Sequence, residues 1–539
     1  MWAKLLLLFF VFSFLFKTDH SFDQDLGRHL KLGEIIWQTK SVPTTNLFSY
    51  TNPDFPFINT HWLFEILVYA VGLQPLLLIK IIIFLFSVWL ILKIVPKENT
   101  VLLLPIGFIF LHVLRERTEL RPEIFSFLFT ASTYYILEKY LKKPTKLIYL
   151  LPIIQLLWIN THIYFFVGLV LQAIFLRSHI GCGKLKILCL VFILSVLFSL
   201  LNPNGLAGFL YPFNVTKNYG YTIVENQTIF LLESISFANP NFLFAKLSIG
   251  IASLFALLAL IKRKFEIKNI LLVTFGIVLS LMNVRSLPYL AFLTLPATLQ
   301  NPGVVRKRTI FTISIVITAT LLLIESYLYL NGDYYKYKDS NDQPTLKLIS
   351  SSKGAMDFVL KNNLPQPIFN NFDIGSYIIY RGYPKYQVFV DGRPEAYPKE
   401  FFTQTYIPSQ SDYFKFKDLD KQYKFKSIIF SHTDQTPWGK SFLSSVLKDK
   451  EWKTVYIDDF MIVLALQDVP LEAIDLSKLK AADFKFVSHR SYLNLGLFLF
   501  TSGFKESAET FITRSLQLFP QSLLGNALFG VNVSSKFFW

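Results

Sequence analysis

The sequence predicts a mainly α-helical, polytopic membrane bundle of about eleven spans, followed by a small extracytoplasmic α/β domain and a helical hairpin. Three observations predict it. Of the 539 residues, 52% are hydrophobic and only 17% charged, too apolar for a chain that faces water on every side. Long apolar runs recur through the first 330 residues and then stop. The basic residues between those runs gather on alternate connections.

The spans are expected near 2–20, 75–95, 100–114, 123–140, 147–160, 163–177, 187–203, 241–261, 269–284, 287–302 and 309–330. Met1–Phe16 carries one lysine and an apolar run with no small-residue cleavage site. It is read as a retained first helix that residues up to His20 extend; a cleaved signal peptide is the other reading. Lys93, Lys97, Lys139, Lys142, Lys143, Lys146, Arg177, Lys184, Lys186, Lys262, Arg263, Lys264, Lys268, Arg306, Lys307 and Arg308 fall on one side, which the positive-inside pattern makes cytoplasmic. Segments 21–74 and 203–240, and the turns near 115–122, 161 and 285, then face outward. This topology explains much of the net charge of +16 without a nucleic-acid partner. Cys182 and Cys189 lie near one inner edge, so a disulfide framework is not expected.

The division expected is a transmembrane domain over 1–330 with its first outer loop at 21–74, a polar linker at 331–350, an α/β domain at 351–470 and a helical tail at 471–539. Short β-type runs stand at Pro367–Asn370, Gln387–Val390 and Ser427–Ser431, with a hairpin over Trp452–Leu466 turning at Asp458-Asp459. Leu495, Gly496, Leu499, Gly503, Ala508, Phe511, Leu516 and Pro520 have the spacing of one helix–turn–helix unit over 490–525, which resembles a single tetratricopeptide repeat. One such unit has to pack on its neighbour or on a partner.

The chemistry-bearing residues lie in the outward segments. Asp23 and Asp25 follow the first span directly, and His29 comes four residues after Asp25, on the same face if the segment is helical. Carboxylates there suit proton transfer from an acceptor hydroxyl or a divalent metal; equally, they suit capping of the next helix. His61 and Glu65 share a face of an amphipathic helix that opens at His61-Trp62, also readable as an interfacial anchor. Arg115, Glu116, Arg117, Glu119 and Arg121 alternate in sign; they pair with one another in a solvated turn or present cations. Asn160 and His162 form a polar turn between two spans, and Arg285 marks an outer helix end. Asp391-Gly392-Arg393 is either a tight turn or a site.

Taken in order, these segments resemble the GT-C glycosyltransferase superfamily, and within it a little-characterised bacterial branch. The residues that carry the resemblance are Asp23, Asp25, His29 and Gly33, Arg121-Pro122-Glu123-Ile124-Phe125-Ser126, Trp158-Ile159-Asn160-Thr161-His162, Asn202-Pro203-Asn204-Gly205, Arg285-Ser286-Leu287-Pro288, Asn370–Tyr377 and Asp391-Gly392-Arg393. Three positions depart from the branch: Arg28 stands where Trp is usual, Ile163 where Gly is, and Glu225-Asn226 where a Glu-Trp pair is.

The resemblance implies transfer of a sugar from a polyprenyl-phosphate-type donor to a glycan, lipid or protein acceptor at the outer face of a bacterial cytoplasmic membrane. It implies Asp25, then Asp23, as base or acceptor-positioning group, with inversion at the anomeric carbon. Arg117, Arg121, His162 and Arg285 are expected at the lipid phosphate, and His29, His61, Glu65, Asn160 and Arg393 elsewhere around the substrates. A divalent metal at Asp23 and Asp25 is left open. The alternative class is a transporter or an envelope-assembly scaffold of the same fold, though the sequence lacks the matching halves of a transporter.

Overall fold

The computed structural model describes residues 1–179, 183–215, 219–235, 239–300 and 308–529, and every structural statement below concerns these. Cys182, Arg306, Lys307, the end of the span expected at 287–302 and the last residues of the tail lie outside them. Cys189 is a free thiol.

The chain is mainly helical. Its first third comprises α1 (Trp2–Leu15), α2 (Gly27–Thr39), α3 (Trp62–Val71), α4 (Leu73–Ile94), α5 (Thr100–His112) and α6 (Glu123–Lys142). Three helices are long and apolar enough to cross a membrane, Leu73–Ile94, Pro240–Ile261 and Ile313–Leu330. Six more apolar stretches are shorter, among them Trp2–Leu15, Leu185–Ser199 and Ile267–Met282. Of the eleven spans expected, three therefore meet a requirement of length and apolarity together.

The first helix stops at Leu15 instead of running to His20 because Thr18 and Asp19 are drawn away by the polar linker. Thr18 N–H donates to Gln343 O, Asp19 N–H to Lys347 O, and Ile349 N–H returns to Asp19 O. The Asp19 carboxylate accepts from Lys80 Nζ of α4 at 2.8 Å and from Leu120 N–H at 2.7 Å. Lys80 and Asp19 are both buried, so each neutralises a charge that would otherwise be costly. One side chain thus ties the first helix, the outward turn at 113–122 and α4 together.

The α/β unit holds a four-stranded sheet, β1 (Ile368–Asn370), β2 (Ser427–Ser431), β3 (Trp452–Ile457) and β4 (Met461–Leu466), in the order β1-β2-β4-β3. β1 and β2 are parallel; β2–β4 and the β3–β4 hairpin are antiparallel. Three of the expected strand segments are strands. The fourth, Gln387–Val390, forms no ladder in the sheet: Val388 N–H donates to Phe48 O and Tyr50 N–H to Val388 O, so it pairs with the first outer loop.

That pairing is one part of a continuous junction. Phe22, Leu26, Leu30 and Phe64 of the outer loop share one apolar cluster with Met356, Ile378, Ile379 and Val463 of the α/β unit. The first outer loop is therefore as much a part of the soluble unit's core as of the bundle. Helices His489–Thr501 and Lys505–Leu518 pack against each other through Leu495, Leu499, Ala508 and Phe511, and these residues join the core behind the sheet. The tail hairpin buries its face on the preceding unit.

Candidate active site at the arginine cluster

The site begins with a π-helical turn, Phe22–Leu26, that leads into α2. Gly27 N–H bonds back to Phe22 O, so this turn contains one residue more than an α-turn. Gly27 is needed here, because a Cβ would lie 2.7 Å from Ser376 O of the α/β unit. The extra residue rotates Asp23 and Asp25 relative to His29. The expectation of a common Asp25–His29 face gives way to two separate environments.

Asp23 is buried and fully engaged. Its carboxylate accepts from Ser350 Oγ at 2.8 Å, Ser351 N–H at 2.9 Å and Ser352 N–H at 3.2 Å. It fixes the turn Ser350–Ser352 that leads into the helix Lys353–Lys361, far away in sequence. Asp23 thereby forms a strut between bundle and α/β unit.

Asp25 faces the other way and its side chain stays 21% exposed. Arg28 Nη2 donates to its Oδ1 at 2.9 Å, and Arg121 Nη1 lies 3.2 Å from its Oδ2. Burial pushes this carboxyl up, but the guanidiniums of Arg121 and Arg28 outweigh it and hold it below the ordinary range. Asp25 is ionised throughout the neutral range.

Beside it three arginines from two segments, the turn at 113–122 and the turn Val284–Ser286, converge on one carboxylate. Glu225, on the 3₁₀ turn Val224–Asn226, meets Arg117 Nη1 at 2.6 Å, Arg121 Nη1 at 2.8 Å and Arg285 Nη2 at 2.9 Å. Arg117 also forks onto Glu123 at the start of α6, and Arg121 Nη2 donates to Gln24 Oε1 at 3.0 Å. The Glu225 carboxyl is pushed up by burial and down, more strongly, by the three arginines, so that it lies well below its usual range. The reading in which the charges of 115–121 only pair with one another does not hold: Arg115 donates to Glu325 and Asn241, and Glu116 accepts from Asn239 and Asn241.

Two residues of this constellation carried no assignment from the sequence. Glu225 was visible only as a departure from a Glu-Trp pair, and Arg28 only as a replacement of Trp; their partners lie 60 or more and 3 residues away respectively. The cue for Arg28 was local, an Asp and an Arg three apart on a helical segment.

A second layer lies behind Asp25. His29 Nδ1 and Glu65 Oε1 are 3.0 Å apart, and Asn59 Nδ2 donates to Glu65 Oε2 at 2.6 Å. Gly33 lets α2 and α3 touch, since a Cβ there would stand 2.1 Å from Glu65 O. Rings continue outward from His29 to His61 and on to His162, which stacks on Tyr164. His162 Nδ1 is 2.7 Å from Ser126 Oγ. Asn160 accepts from Trp62 Nε1 at 2.8 Å and donates to Leu201 O at 3.0 Å, holding α3 on the turn that carries His162. His29 and Glu65 are buried against each other, and Asn160 is buried among Trp62, Leu156 and Leu201, so all three brace the site. Arg393 also braces the outer loop. It is wholly buried, forks onto Asp391 at 2.7 and 2.8 Å, donates to Asn46 Oδ1 at 2.9 Å and lies over Phe48 and Phe57.

Burial holds His29 and His162 neutral well below the ordinary range, lowers His61 to about 3 and raises Glu65 to about 7. In the unfolded chain each imidazole takes up a proton below its ordinary value of 6.5, so the unfolded state binds more protons there and stability falls on acidification. Glu65 acts in the opposite sense, because the folded state keeps its proton up to about 7 and the unfolded state loses it near 4.5. Asp373 and Asp458, raised by burial to about 7 and about 6, act as Glu65 does, so the imidazole is read from a difference: the unfolding midpoint of wild type relative to His61→Asn is expected to fall between pH 6.5 and 5. A difference that does not change with pH would contradict a neutral His61.

A cleft of 980 Å³ opens next to the cluster, between the bundle, the linker, the α/β unit and the tail hairpin. Gln24 and Glu119, both partners of Arg121, line its inner end, and Arg490, Asn494 and Phe498 its outer wall. Among the described residues no three His, Cys, Asp or Glu side chains group as a metal site. The donors also do not suit a divalent cation: Asp23 is spent on Ser350–Ser352, and Asp25 and Glu225 are surrounded by four arginines.

No protein-family model matches the chain, and no curated protein matches it. Among the solved structures that resemble it are two at 11% identity. One is the archaeal oligosaccharyltransferase AglB from Archaeoglobus fulgidus, in complex with an inhibitory peptide and a dolichol-phosphate, with a TM-score of 0.52 over 99% of this chain and 87% of that one. The other is the arabinofuranosyltransferase AftD from Mycobacteria, with a TM-score of 0.50 over 86% of this chain and 41% of that one. Similarity at this identity speaks to architecture alone: the chain shares the fold of these two structures.

Proposed function

We propose that the protein is a membrane glycosyltransferase that moves a sugar from a polyprenyl-phosphate-type donor to an acceptor at the outer face of the membrane. The observation that carries this reading is the meeting of Arg117, Arg121 and Arg285 beside Asp25, on a fold shared with membrane glycosyltransferases. Guanidinium groups offer paired N–H donors to phosphate oxygens and keep their charge when partly buried, so three of them form a seat for a lipid-linked phosphate.

In this reading the acceptor approaches through the cleft that ends at Gln24 and Glu119. Its nucleophilic atom attacks the anomeric carbon as the carbon–oxygen bond to phosphate breaks. The bonding electron pair stays on the phosphate oxygen, where the arginines stabilise the new charge. The acceptor's proton passes to Asp25 Oδ. A carboxylate held low by two arginines is a weak base, so Asp25 orients the hydroxyl and takes the proton late, once the new bond is forming.

The test is photo-crosslinking of the purified protein with a polyprenyl-phosphate-sugar probe. Saturable labelling is expected near the arginine cluster, reduced by about tenfold in Arg285→Ala, in line with the loss of one charge-assisted phosphate contact worth about 1.5 kcal/mol. Absence of saturable labelling across probes of several sugars would favour the transporter or scaffold class instead.

A further inference from the structure

The three-arginine seat already holds an anion, and that anion is part of the chain. We infer that Glu225 is a place-holder for the donor's phosphate: the phosphate binds by displacing the Glu225 carboxylate from Arg117, Arg121 and Arg285, and Glu225 thereby sets how strongly charged a ligand must be to enter. This inference rests on the phosphate seat proposed above and adds the residue that controls access to it.

The charge balance is the first argument. Arg28, Arg117, Arg121 and Arg285 face Asp25, Glu119, Glu123 and Glu225. With Glu225 in place, four cations meet four carboxylates and no surplus charge remains to draw in a phosphate. With Glu225 withdrawn, one positive charge is left over at the point where three guanidiniums converge. A phosphate therefore enters by exchange and not by addition.

The geometry is the second argument. Both Glu225 oxygens are given to the three arginines, at 2.6 to 3.1 Å. Two oxygens shared among three guanidiniums leave donors that a phosphate, with more terminal oxygens in a tetrahedral array, satisfies better.

The placement is the third. Glu225 sits on a short 3₁₀ turn, with Val224 exposed on one side, and its segment returns to the bundle through Val284 N–H donating to Gln227 O at 2.9 Å. No helix or strand fixes its backbone, so the turn can swing out without dismantling a packed element. Arg121 Nη1 serves Glu225 and Asp25 together, so the exchange also changes the charge felt by Asp25.

The experiment measures binding of farnesyl phosphate to the detergent-solubilised full chain, for wild type, Glu225→Gln and Arg285→Ala. Glu225→Gln keeps the shape and removes the competing charge, and it is expected to bind at least tenfold more tightly than wild type; Arg285→Ala is expected to bind more weakly. Hydrogen–deuterium exchange over 219–235 in the wild type is expected to rise when farnesyl phosphate is added, a measurement that does not depend on how the variants fold. Affinity that is unchanged or weaker in Glu225→Gln, with Arg285→Ala still impaired, would overturn the exchange and leave the seat standing. Unaltered or reduced hydrogen exchange over 219–235 in ligand-bound wild type would also overturn it. Equal affinity in all three proteins would remove the seat itself.

Discussion

Asp25→Asn is expected to lower sugar transfer by about 10²–10⁴-fold while the protein inserts, folds and still binds the donor. The substitution removes the proton acceptor and keeps the size of the side chain. One amide oxygen still accepts from Arg28, and the arginine seat still has Glu225 or a phosphate to neutralise it. Asp25 is also the more exposed of the two carboxylates, whereas Asp23, although it lines the cleft, is engaged by Ser350–Ser352. The comparison variant is Asp23→Asn, which weakens three hydrogen bonds at the bundle–α/β junction and is expected to reduce stability with little direct effect on the chemical step. Transfer is measured with a polyprenyl-phosphate sugar and a panel of acceptors. Transfer by Asp25→Asn at wild-type rate, with Asp23→Asn inactive but folded, would reverse the assignment of the two carboxylates.

Hydrophobic patterning made the mainly helical character and the positions of helices such as Leu73–Ile94, Pro240–Ile261 and His489–Thr501 legible, because burial leaves a periodic record in the residues that do it. The β-type runs of the soluble unit were legible for the same reason. What patterning does not specify is the partner of an extended run. Gln387–Val390 is as apolar as a strand should be, yet its main chain pairs with Phe48 and Tyr50, more than 300 residues earlier. The span count is another case. Runs such as Leu185–Ser199 and Ile267–Met282 are apolar but short, and length decides what they can cross.

The candidate site was legible residue by residue but not as pairs. Arg117, Arg121, Arg285 and Asp25 stood out because charges at helix ends next to apolar runs are costly. Their convergence depends on Glu225, which reaches them from a loop over a hundred residues beyond Arg121. Lys80 is a similar case, a lysine within an apolar helix whose meaning appears only when Asp19 is seen 2.8 Å away. Local spacing also misled where the backbone left the α-helix: one additional residue in the turn Phe22–Leu26 separated Asp25 from His29, which 3.6-residue periodicity had placed together.

Arg393→Met is expected to destabilise the folded protein by about 3–5 kcal/mol, the largest stability effect of any single change at the site. Arg393 and Asp391 are both wholly buried, and Arg393 spends two N–H groups on Asp391 and one on Asn46 of the first outer loop. Tyr397 O–H adds a further bond to Asp391 at 2.9 Å. Removing the guanidinium leaves a buried carboxylate with two neutral donors, Tyr397 O–H and the residue-393 N–H, and it takes from Asn46 one of its two bonds to the α/β unit, the one to Ala396 O remaining. Because the cost arises from the orphaned charge more than from the lost attraction, Asp391→Asn combined with Arg393→Met is expected to recover part of it, and a double-mutant cycle in thermal unfolding measures that coupling. Limited proteolysis is expected to open the single variant within 40–60, where the loop loses its anchor. An Arg393→Met protein that melts as wild type does but no longer transfers sugar would return Arg393 to the substrate. Arg393 has no exposed surface, spends Nε and Nη2 on Asp391 and Asn46 and lies over two aromatic rings, so it holds the first outer loop, which presents Asp25, against the α/β unit.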